Sequence, residues 1–470
     1  MKSITPLPGF TQRLGAPLKP FLLLMALLLS LAACREDKET TITIPTDPNP
    51  TDTTQDGSFK EVAPTAEQVM YEVNLRAMSS SGDLQGVIGK LDHIKSLGVN
   101  VIWLMPIHPV GEFRSINSPY CVKDHRAVGA EYGSLADLQE LVQEAHQRNM
   151  AVIMDWVANH TAWDHPWIQN KSWYTQDGSG AIVHPPGTNW QDVADLNFGN
   201  QNMRDSMKAA MQYWIDAANI DGFRCDYADG VPFDFWQKAI SKLRSQSGKK
   251  LLFFAEGARQ DHFAAGFDLA FGWDFYGALK NVFNGQSVNL ITAAHSREYQ
   301  NTPAGKHWVR FTANHDESAW DATPISLFNG ADGALAASAI AAFTGGVPLI
   351  YSSQEVGISQ TIPFFSRAPI NWNNNPALLA QYQQMFQFYR QSAVAQKGVN
   401  TIYPGQDVFS LRKTLEGQDL WLLVNVRDVS KNYDLPAPLQ NTTWTHALSQ
   451  ETQNLSGSLV LGPYEILILK

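Results

Sequence analysis

Seven residues of this chain carry groups able to move protons or hold charge, and each falls at or just past the end of a short apolar run. They are Asp155, His160, Arg224, Asp226, Glu256, His315 and Asp316. Four carboxylates with one arginine and two histidines make a set for acid–base and nucleophilic work, provided that the fold brings them together. One acid at one strand end is as readily a cap or a loop ion pair. Several at successive strand ends are poorly explained that way. Arg224 stands two residues before Asp226, so in a strand both share one side, and a cation there favours the ionised form of Asp226. Thirty residues separate Asp226 from Glu256 and sixty separate Glu256 from Asp316, which leaves room for intervening helices.

The elements that must position these groups alternate from about residue 66. Apolar runs predict strands at 69–73, 99–106, 151–155, 222–226, 251–256, 267–270, 309–313 and 347–351. Helical spacing predicts helices at 84–97 (closed by Gly98), 202–219, 331–343 and 377–391. Eight strand–helix pairs over about 330 residues predict an α/β (β/α)8 TIM barrel, with the doubly wound sheet as the alternative. A short subdomain rich in Trp, Pro, Asn and Gly, about 161–200, is inserted after the third strand. The barrel is assigned to 63–397. After 398 the texture changes to short strands at 419–424, 458–461 and 464–469, which predicts a C-terminal all-β domain over 398–470.

Composition narrows the classes. With 470 residues, 44% hydrophobic and 17% charged, the chain is neither disordered nor a repeat fibre. A formal charge of −10 and no basic patch argue against nucleic acid as partner, and no organic cofactor is expected. At the N-terminus, Lys2, Arg13 and Lys19 precede an apolar run from Phe21 to Ala33 that is short for a membrane span. The run ends in Leu31-Ala32-Ala33-Cys34, which resembles a bacterial lipobox. Residues 1–33 are therefore expected to be a lipoprotein signal peptide and Cys34 the lipidated residue. A Thr/Pro/Asp-rich stretch within 34–62 is expected to be a flexible tether. The expected location is that of an exported lipoprotein of the outer membrane, on its cell-surface or periplasmic face. Cys121 and Cys225 then remain, far apart, and imply no disulfide framework.

Across nearly all of the mature chain the sequence resembles the α-amylase superfamily of glycoside hydrolases, glycoside hydrolase family 13. The matching segments are DWVANH (155–160), GFRCDYAD (222–229), FFAEG (253–257) and FTANHD (311–316), with support from GVNVIWLMPI (98–107), VADLN (193–197) and GVPLIYSSQE (346–355). The resemblance implies Asp226 as nucleophile, Glu256 as general acid/base and Asp316 as transition-state stabiliser. Retaining cleavage needs one ionised carboxylate to attack and one protonated carboxyl to assist the leaving oxygen, about 5–5.5 Å apart, with environments that separate their pKa values. The resemblance also implies that His160 and His315 bind sugar hydroxyls, that Tyr120 stacks on the cleaved ring, and that Asp155 supports Arg224. It further implies calcium, with Asn159 and Asp195 at two ligand positions and Gly230 where a histidine would lend its carbonyl. The aspartate-rich loop of a second calcium site is missing from 74–83.

The function implied is hydrolysis of internal α-1,4 bonds in starch-like α-glucans and maltooligosaccharides. Cys121 occupies the position where the exo-acting α-glucosidase branch carries an aspartate that grips the chain end. A cyclomaltodextrinase or neopullulanase-type hydrolase, or a glucanotransferase, shares every catalytic residue. A non-catalytic glucan-binding lipoprotein is the rival from another class, and it gives no reason for Asp226, Glu256 and Asp316 all to be present. Cys225 should point away from the mouth by strand alternation.

Overall fold

Eight parallel strands close into a barrel: Met70–Val73, Val101–Leu104, Ala151–Val157, Gly222–Asp226, Leu252–Ala255, Leu269–Phe271, His307–Arg310 and Val347–Tyr351. The computed structural model describes residues 59–470 and the backbone of Thr40–Ile42. The signal peptide, Cys34 and most of the expected tether therefore lie outside the described residues. Within the tether stretch, Thr40–Ile42 pairs antiparallel with Val399–Tyr403, in keeping with the strand preference of β-branched Thr and Ile. Among the described residues no helix is long and apolar enough to cross a membrane.

Strand alternation divides the barrel wall into two cores. Met70, Val101, Trp103, Ala151, Ile153, Phe254, Phe271, Val309 and Leu349 fill the interior. Tyr71, Val73, Ile102, Leu104, Val152, Met154, Phe223, Cys225 and Phe253 pack outward in the core shared with the helices. Every strand is buried along its length, as a barrel covered by helices requires. Gly222 opens the fourth strand because a Cβ there would sit 1.9 Å from the Leu252 carbonyl oxygen of its neighbour. Helix Leu135–Gln147 begins in a capping box between Ser134 and Asp137 and buries Leu138, Leu141, Val142 and Ala145.

Three expectations change. The helix expected over 84–97 is two, Leu84–Ile88 and Leu91–Ser96, because Gly86 and Gly89 weaken its middle. The third strand runs on to Val157, since Val157 pairs with Asp226. The seventh strand ends at Arg310, earlier than expected, and Asn314 instead caps helix His315–Trp320 by accepting the Glu317 N–H at 2.8 Å. His315 and Asp316 therefore open a helix.

After the barrel, helix Pro376–Gln391 leads to an antiparallel sheet whose strands Val399–Tyr403, Val408–Leu415, Gln418–Asn425 and Ile466–Leu469 lie side by side. One face of it, with Ile402, Phe409, Leu411, Leu422 and Val424, joins the core around the barrel helices. The other, with Tyr403, Val408, Trp421 and Leu423, forms a core of its own. Helix Ala331–Phe343 is almost wholly buried, which its run of alanines permits.

Candidate active site

The interior row of each strand continues upward into the polar groups. On the fourth strand Gly222, Arg224 and Asp226 alternate inward, and Asp155 lies level with Arg224 on the third. Arg224 Nη1 donates to Asp155 Oδ1 and Oδ2 at 2.9 and 3.1 Å and to Asp226 Oδ1 at 3.0 Å. Its Nη2 lies 2.9 Å from Glu256 Oε2. One guanidinium thus ties three strand-end carboxylates, in the charge-assisted geometry that arginine favours. The Trp103 indole also donates to Asp155 Oδ2, at 3.1 Å, and Arg224 stacks 4.9 Å from that ring.

Exposure divides the cluster into closed and open groups. The side chains of Asp155 and Arg224 are 0% and 1% exposed, those of Asp226 and Glu256 13% and 20%, and that of Asp316 40%. Glu256 follows the fifth strand directly. Its Oε2 accepts the backbone N–H of Tyr227 at 2.8 Å, and Tyr227 adopts a left-handed φ of 39° to present it. Asp229 holds the loop beyond, accepting from Ala258 N and His262 Nε2 at 2.8 and 2.7 Å. A Cβ on Gly257 would strike this carboxylate at 2.3 Å.

The electrostatics differ from a simple Arg–Asp pair. Burial raises Asp226 well above the ordinary carboxylate range, the charge on Glu256 adds to this, and Arg224 opposes both. Asp155 is pushed up to about 6 by burial against the pull of Arg224, and Asp316 to about 7 by desolvation and then Glu256. Burial thus pushes Asp226, Asp155 and Asp316 toward holding their protons, and Arg224 pulls all three the other way.

Around this centre lie the other expected residues. Tyr120 Oη donates to Asp155 Oδ2 at 3.0 Å and lies 2.8 Å from His315 Nε2, and the two rings stack at 5.2 Å. His160 lies one wall away, with Nε2 3.2 Å from the Tyr120 carbonyl and its ring edge-on to Trp190. Asp316 receives the Trp320 indole N–H at 3.3 Å. Cys225 packs outward in the helix-side core. Cys121 is also turned from the mouth: it packs with Ala162 and Val193, and its thiol, pushed up to about 12 by burial, donates to the Asp192 carbonyl at 3.3 Å.

Asn159 and Asp195 are brought together by pairing of His160–Ala162 with Val193–Asp195, where Leu196 N donates to the Asn159 carbonyl at 3.1 Å. Gly230 presses on the same spot, since a Cβ there would lie 2.4 Å from Asn159 Oδ1. An amide oxygen, a carboxylate and a backbone carbonyl suit a hard cation such as calcium. Burial raises the Asp195 carboxyl.

Four groups escaped the sequence reading. Glu72 at the end of the first strand binds His315. Trp103 holds Asp155, Tyr227 holds Glu256 through its backbone, and Trp320 caps Asp316. Glu72 carried a signal, a carboxylate inside the apolar run 69–73. The others had none, because they act through register and backbone turns.

The sequence profile described as "Alpha amylase, catalytic domain" matches residues 49–180 and 187–385. Alpha-amylase 2 of Dictyoglomus thermophilum is 25% identical over 428 residues, covering 84% of this chain and 72% of that protein. Among solved structures, an alpha-amylase from Lactobacillus plantarum superposes with a TM-score of 0.78 at 24% identity, over 86% of this chain and 99% of that one. A maltogenic alpha-amylase from Thermotoga neapolitana gives 0.78 at 23%, over 87% and 99%.

Proposed function

Because this chain belongs to the alpha-amylase family of glycoside hydrolases, we propose that it cleaves internal α-1,4 bonds of starch-like glucans with retention of configuration. The observation that carries this reading is the Arg224 guanidinium, which holds Asp226 at 3.0 Å and Glu256 at 2.9 Å with both carboxylates open to the cleft. In this reading Asp226 attacks the anomeric carbon, and Glu256 gives its proton to the leaving oxygen and later takes one from water. Asp316 faces the positive charge of the oxocarbenium-like transition state. This chemistry needs one carboxyl protonated while another is charged, and Arg224 beside Asp226 opposes the burial that raises the Asp226 carboxyl. His160, His315 and Tyr120 orient the sugar ring.

The inward-packed Cys121, where an exo-enzyme would carry its end-gripping carboxylate, favours a cleft open at both ends. Maltooligosaccharides blocked at the non-reducing end should therefore be cut readily, with products appearing first as the α-anomer. Cleavage confined to free ends would return the α-glucosidase branch. An early β-anomer would remove Asp226 as nucleophile. Product profiles on amylose, pullulan and cyclodextrin separate the reading from a cyclomaltodextrinase or transferase.

Calcium held by Asn159, Asp195 and the Gly230 carbonyl would brace the strand pair beside His160. The lipobox-like end of the N-terminal run supports an outer-membrane lipoprotein anchored at Cys34. Cys34→Ser should abolish lipid labelling, and unchanged labelling would refute the anchor.

A further inference from the structure

Glu72 is a carboxylate with no open surface, buried at the end of the first strand. Its Oε1 receives His315 twice, from the backbone N–H at 3.3 Å and from ring Nδ1 at 2.5 Å, and its Oε2 has no partner among the described residues. An ionised Glu72 accepts both contacts at Oε1, the backbone N–H and an N–H on Nδ1. A buried carboxylate needs such a partner.

The other ring nitrogen can be assigned by counting protons. Tyr120 Oη has one proton and two neighbours, Asp155 Oδ2 at 3.0 Å and His315 Nε2 at 2.8 Å. Asp155 Oδ2 is also approached by Trp103 Nε1 and Arg224 Nη1, both at 3.1 Å, so it accepts from every side and claims the Tyr120 proton. The 2.8 Å contact to His315 then closes only if Nε2 also carries hydrogen. The Asp316 carboxylate, 3.4 Å from Nε2, attracts hydrogen at the same atom.

We propose that Glu72 is a positioning residue that keeps His315 doubly protonated, so that the ring presents an N–H, not a lone pair, to Tyr120 and to the Asp316 side of the cleft. The buried Glu72–His315 pair stores one proton at the floor of the site. The groups facing this ring are Glu72 from the first strand, Trp103 from the second, Tyr120 and Phe364 from flanking loops, and Asp316 from its own helix. Burial pushes the Glu72 carboxyl up and opposes its charge, while His315 and then Arg224 favour the ionised form. The wider meaning, a hydroxyl-binding donor beside the stabilising carboxylate, rests on the functional reading above; the charge state of the ring does not.

The test is ring-nitrogen NMR of the full chain labelled at its 12 histidines with nitrogen-15, with His315 assigned by the signal lost in His315→Asn. At pH 7 the wild type should show both His315 nitrogens as imidazolium. Glu72→Gln should lose that pattern and show one protonated and one bare nitrogen, while Glu72→Asp, keeping the charge, should retain at least part of it. A neutral His315 ring in the wild type overturns the proposal, whether or not Glu72→Gln folds. So does an unchanged imidazolium in Glu72→Gln. The readout needs no glucan, so failure of the proposed activity leaves it intact, and the reverse holds as well.

Discussion

Replacing Asp155 by asparagine should destabilise the protein more in mild acid than near neutrality. Asp155 is fully buried, and its carboxyl stands at about 6 in the folded chain against an ordinary 3.8, with burial as the leading cause. A carboxyl raised on folding binds its proton more tightly in the native state. Its contribution to stability is therefore greatest below the unfolded value, declines as pH rises from near 4 to near 6, and is level beyond. At 1.36 kcal/mol per pH unit the full decline is about 3 kcal/mol, of which about 2 kcal/mol lies above pH 4.5. Asparagine does not titrate. It also turns an amide N–H toward Arg224 Nη1, which now lies 2.9 Å from Oδ1. In acid the folded Asp155 is itself neutral and asparagine replaces it nearly isosterically, so the gap there reflects hydrogen bonds lost by the amide. Between pH 4.5 and 7.5 the wild type should lose about 2 kcal/mol that the variant keeps, and the gap should shrink by that amount. Urea unfolding of both proteins at the two pH values measures the gap. A gap that stays constant, or widens toward neutrality, would refute the assignment of Asp155 as a carboxyl raised by burial.

Asp226→Asn should lower kcat on maltooligosaccharides by on the order of 10^4-fold or more while leaving glucan affinity nearly unchanged, since shape is kept and the nucleophile lost; comparable loss of affinity in calorimetry would contradict it. Trp320→Phe removes the N–H that lowers the Asp316 carboxyl, so the acid limb of the kcat/KM profile should move up by about half a pH unit, the worth of one long hydrogen bond. An unmoved limb would mean that Asp316 does not need to be ionised. Chelation should lower the melting temperature, and added calcium should restore it, more in the wild type than in Asp195→Asn. Site occupancy near 100 Kd is worth about 2.7 kcal/mol. Equal response of the two proteins would remove Asn159 and Asp195 as ligands.

The sequence by itself determined the barrel and most of the constellation. Alternating apolar strands and amphipathic helices leave few ways to bury both faces of a parallel sheet, and period two puts Arg224 and Asp226 on one side of their strand. The same alternation predicts an outward Cys225, and it packs there. Tertiary structure decided what depends on register and on groups distant in the chain. That Arg224 would hold Asp155, Asp226 and Glu256 together follows from the pairing of three strands, and no local pattern encodes that pairing. The helix that opens at His315 depends on an Asn314 cap that directly follows the strand expected at 309–313. The protonation balance was least legible. A cation two residues from a carboxylate favours an ionised Asp226, yet burial and the neighbouring acids push its carboxyl the other way, because desolvation and charge crowding arise only once the chain has closed.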